Sequence, residues 1–248
     1  LQGGRNLGQG DIRDSGELLL SETSQKALSD RGSPDVRMYQ DSDAQTFVDA
    51  LNEGRNSDVK NGWCVSPKEV SDLTQPGVKS YLAENGQAGF VINNGDIEAV
   101  FTNKAKGAPR GLADSLMLRA LSAGGNKLDC YGEVLAKIYS KYGFEPVARV
   151  EFNSEYANPG WDASKGEPYI YVMKHNGDSA DTVAKKMGDY PKYSKEQLEA
   201  LPTYGKNDYD AAMAYRDSLM GKGSPQVADS PGQSTGGGQG DATAKSSV

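Results

Sequence analysis

Only two cysteines and one histidine occur in 248 residues. Cys64 and Cys130 form no CxxC pair and stand at no metal-ligand spacing with His175, which excludes a Cys/His zinc site. Two thiols fit a reducing compartment, with a disulfide between them left open. No apolar run approaches the ~20 residues that span a bilayer, and Leu18-Leu19-Leu20 is too short for the core of a signal peptide. A basic block is missing too: the net charge of −7 is spread along the chain. That argues against a general nucleic-acid binder, because neutralising phosphates needs a concentrated basic face. Aromatic residues make up 8% and apolar residues 36%, so part of the chain is expected to stay unpacked. The chain opens on Leu1, which reads as a processed or excised piece of something longer.

What is present divides the chain. Residues 1–36 are polar and rich in Gly, Ser and Asp, and read as a mobile arm or linker with a short helix candidate near 17–28. Residues 221–248 are Gly, Ser, Pro and Gln with little to bury, and are expected to be disordered or ordered only against a partner. Residues 191–220 read as a helical extension. The packed domain is expected at 37–190.

Within it, "DAQTFVDALNEGR" places Phe47, Val48 and Leu51 at helical spacing behind Asp43 as N-cap. "GWCVSP" reads as a short strand and "VKSYLAENG" as a brief helix ended by Gly86. "AGFVINNGDIEAVFTN" is a hairpin around Asn94-Gly95, with Phe90 and Ile92 alternating on one arm and Ile97, Ala99 and Phe101 on the other. Helix, strand, helix and two strands follow: Leu112, Leu116, Ala120 and Leu121 mark one helical face, and Val134, Leu135, Ile138 and Tyr142 another. The order β-β-α-β-α-β-β predicts an α/β (α+β) fold, a mixed, mostly antiparallel sheet flanked by helices.

The turn at 107–113 joins a strand to a helix. A helix start offers unpaired N–H groups and a partial positive charge, Arg110 adds a full one, and Gly111 and Ala113 admit a ligand to the backbone. These parts suit a diphosphate. Taken alone, the loop is better read as a plain turn with a solvated Arg110. It is neither a Walker P-loop nor a GxGxxG loop.

Two motifs in order give the turn a context. Ala108-Pro109-Arg110-Gly111-Leu112-Ala113 resembles the Arg/Gln-x-x-Gly-x-Gly/Ala loop of the GNAT N-acyltransferase superfamily. Ile138-Tyr139-Ser140-Lys141-Tyr142-Gly143-Phe144 resembles that superfamily's Leu-Tyr-x-x-x-Gly-Phe motif. The resemblance covers roughly residues 88–175 and extends, more loosely, to GNAT-like modules of phage and mobile-element proteins. It implies two central parallel strands, near 97–103 and 128–131, that splay around acetyl-CoA. Val100, Phe101 and Thr102 would pair with the pantetheine, and the N–H groups of Arg110, Gly111, Leu112, Ala113 and Asp114 would hold the pyrophosphate. Tyr139 matches the family's general acid, against the alternative of an aromatic packed between helix and sheet. Glu98 is the first candidate base and Asp129 the second. No metal is implied, and the acceptor is an amine of unspecified class.

Ala108 stands where the family has Arg or Gln, and Gly132 where Asn often begins the second helix. Both favour the competing expectation, a non-catalytic module of a phage or virion-associated protein whose arms bind protein partners. A cytoplasmic (host-cell) or virion location goes with these readings. Cys130 is expected to be a buried apolar thiol and His175 a surface-turn residue. Tyr156 and Trp161, in the long loop 156–169, are expected either to wall a substrate site or to cover the sheet edge.

Overall fold

The computed structural model describes residues 16–41 and 43–221. The tail expected to be disordered lies outside the described residues, apart from Gly221. One eight-stranded sheet in the order β1-β2-β3-β4-β5-β7-β6-β8 runs through the molecule. Strands β1 (Met38–Asp41), β2 (Val78–Ala83), β3 (Ala88–Asn93) and β4 (Asp96–Thr102) form an antiparallel meander. Strand β5 (Lys127–Tyr131) runs parallel to β4 and antiparallel to β7 (Ile170–His175). Strand β6 (Phe144–Val150) closes the hairpin with β7 and carries the two-residue β8 (Thr203–Tyr204) on its far edge. The mixed, mostly antiparallel sheet flanked by helices is therefore the observed architecture.

Helices cover both faces. On one lie α1 (Glu22–Arg31), α4 (Ala113–Ser122), α5 (Gly132–Ser140) and α6 (Ala180–Lys186), with Leu198 of α7 (Lys195–Glu199). Their core includes Leu28, Leu116, Tyr139 and Val183 against Phe90, Ile97, Leu128 and Met173. On the other face α2 (Ala44–Ser57) and α3 (Val70–Leu73) place Phe47, Leu51 and Leu73 under Val91, Ala99 and Phe101. Trp63 and Ala212 of α8 (Tyr209–Met220) cover Tyr131, Val150 and Val172. Asp43 caps α2 by accepting from Gln45 N. The Asn94-Gly95 turn adopts positive φ at both residues, as a two-residue hairpin requires.

Several expectations are corrected. The segment following residue 15 is not a loose arm: Leu20 and Leu28 are buried, and α1, capped by Ser21, packs on α6. Its anchors are polar, which is why composition hid them: Asp35 binds Arg119 at 3.0 and 3.1 Å, and Asp181 accepts from Ser24 at 3.0 Å. "VKSYLAENG" holds strand β2 instead of a helix, because ladders on both sides outweigh a single helical turn. "GWCVSP" opens with a 3₁₀ turn at Gly62–Cys64, not a strand; the Gly62 N–H is taken by Asp58 O at 2.7 Å. On α5, Val134 is 72% exposed, Leu135 and Ile138 are half-buried, and the covered residues are Ala136, Tyr139 and Ser140. Of the expected stripe only Val134 leaves the core: Leu135 and Ile138 pack against it and Tyr142 is fully buried in it.

Candidate functional site

The centre of the sheet is where β4 and β5 separate. They share one register pair, Asp96 with Lys127. Just beyond it β4 carries a bulge: Val91 of β3 faces Glu98, the next pairing is Gly89 with Phe101, and Ala99 sits at φ 50°. A bulge kinks its strand and increases the local twist, and β4 makes no register pair with β5 beyond Asp96. The extra residue also shifts the side-chain alternation. Ile97 and Val100 pack with the α4/α5 core while Ala99 and Phe101 pack on α2, which corrects the expectation that Ile97, Ala99 and Phe101 share a face. Phe101 is buried between Gly54 and Gly89; a Cβ on either glycine would stand 2.5 Å from its ring. Val100 and Thr102, predicted with Phe101 to pair with a pantetheine, are half-buried.

Glu98 lies on the α2/α3 side. Its Oε1 accepts from Asn93 Nδ2 at 3.0 Å, and Oε2 is ion-paired with Lys68. The proposed base is thus held, with both oxygens engaged. Asp129 is fully buried on β5. Tyr139 lies on the opposite side, in the α4/α5 core, its ring 6.5 Å from Phe144 in an edge-on contact. Its hydroxyl has no hydrogen bond among the described residues. Burial first, then the proximity of Cys130, Cys64 and Asp129, pushes the phenol well above its ordinary value, so it stays protonated at neutral pH. Cys130 is buried with its Sγ 4.0 Å from Met173 Sδ. Its thiol is pushed far up by burial and by Asp129, which leaves it inert as a nucleophile. Cys64, half-buried, is raised to about 11, chiefly by burial.

The loop after β4 is built by Asn103. Its side chain accepts from Ala105 N at 3.0 Å and Lys106 N at 3.3 Å and donates to Glu53 at 2.9 Å. Arg110 is exposed and without an ion pair among the described residues. Gly111 takes φ 85°, Leu112 is the N-cap residue, and no side chain caps α4. The first-turn N–H groups therefore lack a side-chain acceptor, as the diphosphate reading needs. Two features narrow the seat. Asp114 places a carboxylate in that first turn, accepting from Ser33 Oγ at 2.6 Å and Tyr142 Oη at 2.7 Å. Pro34 lies over Gly111, its Cδ 3.6 Å from where a Cβ would stand.

His175 is corrected from a surface residue to a buried one. Its Nε2 donates to Tyr142 O at 2.8 Å and its Nδ1 accepts from Gly177 N at 3.2 Å, and burial lowers its proton affinity. Trp161 stacks obliquely on Phe152 at 5.1 Å, which in turn meets Trp63 and Tyr131. The loop 156–169 thus adds an aromatic cover beside β5. Lys68, Asn93 and this aromatic group were missed in the sequence, where nothing local links Lys68 to Glu98 thirty positions on. Among the described residues no cluster could hold a metal, and no helix is long and apolar enough to cross a membrane. No family model, no curated protein and no solved structure matches the chain.

Proposed function

We propose that the chain is an acetyl-CoA-dependent N-acyltransferase acting on an amine. The observation that carries this reading is the single pairing of β4 with β5 below the Ala99 bulge, with Tyr139 buried in the core on the α4/α5 face. Attack of a neutral amine on a thioester forms a C–N bond and breaks the C–S bond. The amine's proton must go to a base and the departing thiolate must gain one. Tyr139 is the donor to the sulfur. Glu98, on the opposite face, is the acceptor for the amine's proton, directly or through water, and Lys68 and Asn93 position it. Arg110 and the uncapped start of α4 supply the positive field for the diphosphate.

One observation favours a second reading, a non-catalytic interaction module of phage or virion-associated type: Asp114 and Pro34 crowd the helix start that the cofactor would use. A thiol-release assay with acetyl-CoA and a panel of amines separates the two. The transferase releases free thiol in proportion to amine acetylated; the module releases none above the rate without protein.

A further inference from the structure

Away from the β4–β5 gap, the end of α5 and the segment after α6 enclose a cavity of about 270 Å³. Gly188 N donates to Lys141 O at 3.2 Å and ties that segment to the helix end. The lining is mostly carbon and comes from Tyr190, Pro191 and Tyr193, with Lys137, Lys141 and Lys192 also among its residues. The charges are not equally committed. Lys137 meets Glu133 at 3.3 Å and Glu196 lies within charge range of it, Lys141 stands 4.0 Å from Asp114, and Lys192 has no carboxylate partner among the described residues. Tyr190 donates its hydroxyl to Asp178 at 2.8 Å, so it contributes ring and not a donor, whereas the half-buried Tyr193 hydroxyl makes no hydrogen bond among the described residues and lies within charge range of Glu145.

We infer that this cavity binds a small ring-bearing anion: a planar apolar body of one or two rings carrying a carboxylate or phosphate. The volume fits one such body. The rings and proline supply its contact surface, and Lys192 and Lys141 supply the counter-charge, a lysine ammonium being suited to a single anionic group. An apolar neutral ligand would leave the lysines unused, and a bare anion would leave the tyrosine and proline walls uncovered.

The test is an amide NMR titration of the full chain with salicylate, with AMP, and with inorganic phosphate as the probe lacking a ring. Salicylate tests the carboxylate form and AMP the phosphate form. At least one should shift the amides of 137–141 and 188–193 saturably, and phosphate should bind at least about tenfold more weakly. Lys192→Glu changes an exposed residue, so its spectrum should be native elsewhere, and it should weaken the ring-bearing probe by about tenfold or more. Tyr193→Ala should do the same while sparing phosphate. Equal binding of phosphate, shifts scattered over surface lysines, unchanged affinity in Lys192→Glu, or no saturation by either ring-bearing probe up to about 10 mM overturns the inference.

Discussion

Arg216 near the end of α8 grips Asp96 at the foot of β4 with two parallel bonds of 2.8 and 2.9 Å. This is the one place where β4 and β5 still pair. Lys127, the β5 partner, stands 3.5 Å from the same carboxylate, so a helix some 120 positions along the chain pins the root of the parting strands. The Arg216 side chain is 1% exposed, and without it Asp96 loses both bonds and keeps only Lys127. Arg216→Ala should therefore cost about 1.5–3 kcal/mol in urea unfolding. A loss below about 1 kcal/mol, typical of an exposed pair, would deny the contact an anchoring role.

Gly54→Ala sets two effects against each other. Alanine favours the interior of α2 by up to about 1 kcal/mol. Its methyl would stand 2.5 Å from the Phe101 ring, itself buried and edge-on to Phe47 at 5.9 Å, and such overpacking costs about 1–3 kcal/mol. Net destabilisation is expected. A stabilised variant would mean that Phe101 moves freely, and with it the upper half of β4.

Leu28→Ala tests whether α1 belongs to the fold. Leu28 is 2% exposed in the main core, so truncation should cost about 2–5 kcal/mol. A neutral effect by chemical denaturation would return residues 16–36 to the status of a linker.

His175 gives a pH signature. Burial lowers its folded-state pKa below the ordinary 6.5, so the unfolded chain binds the proton more readily. Its contribution to stability is full above pH 6.5 and is lost as the pH falls through the folded value. Protonation of Nδ1 also removes the bond from Gly177 N. As the only histidine in the chain, its ring protons can be followed without ambiguity by NMR. The expected midpoint is below that of a free imidazole; one at or above it would contradict the buried neutral ring.

Much of the architecture was legible. The Phe47, Val48 and Leu51 spacing behind Asp43, the Asn94-Gly95 turn, and the alternation of strands and helices from Ala88 onward each carry a local signal that tertiary contacts reinforce. The faces of β4 were not legible, because Ala99 enters the left-handed region without a glycine to announce it. Strand β2 owes its form to its neighbours, since Val78, Tyr81 and Leu82 suit a strand or a short helix until β1 and β3 flank them. The Lys68–Glu98 pair, the clasp of Asp35 by Arg119 and the burial of His175 depend on contacts between distant positions, which spacing along the chain does not encode.

If the start of α4 and the gap between β4 and β5 hold acetyl-CoA, as proposed, thermal melting with and without the compound will register it. At about 100 times its dissociation constant a specific ligand stabilises the fold by ~2.7 kcal/mol, or about 5–10 °C for a chain of this size. That rise should vanish in Arg110→Glu and persist in Tyr139→Phe, whose turnover alone should fall. An unchanged melting temperature at millimolar acetyl-CoA would contradict the account.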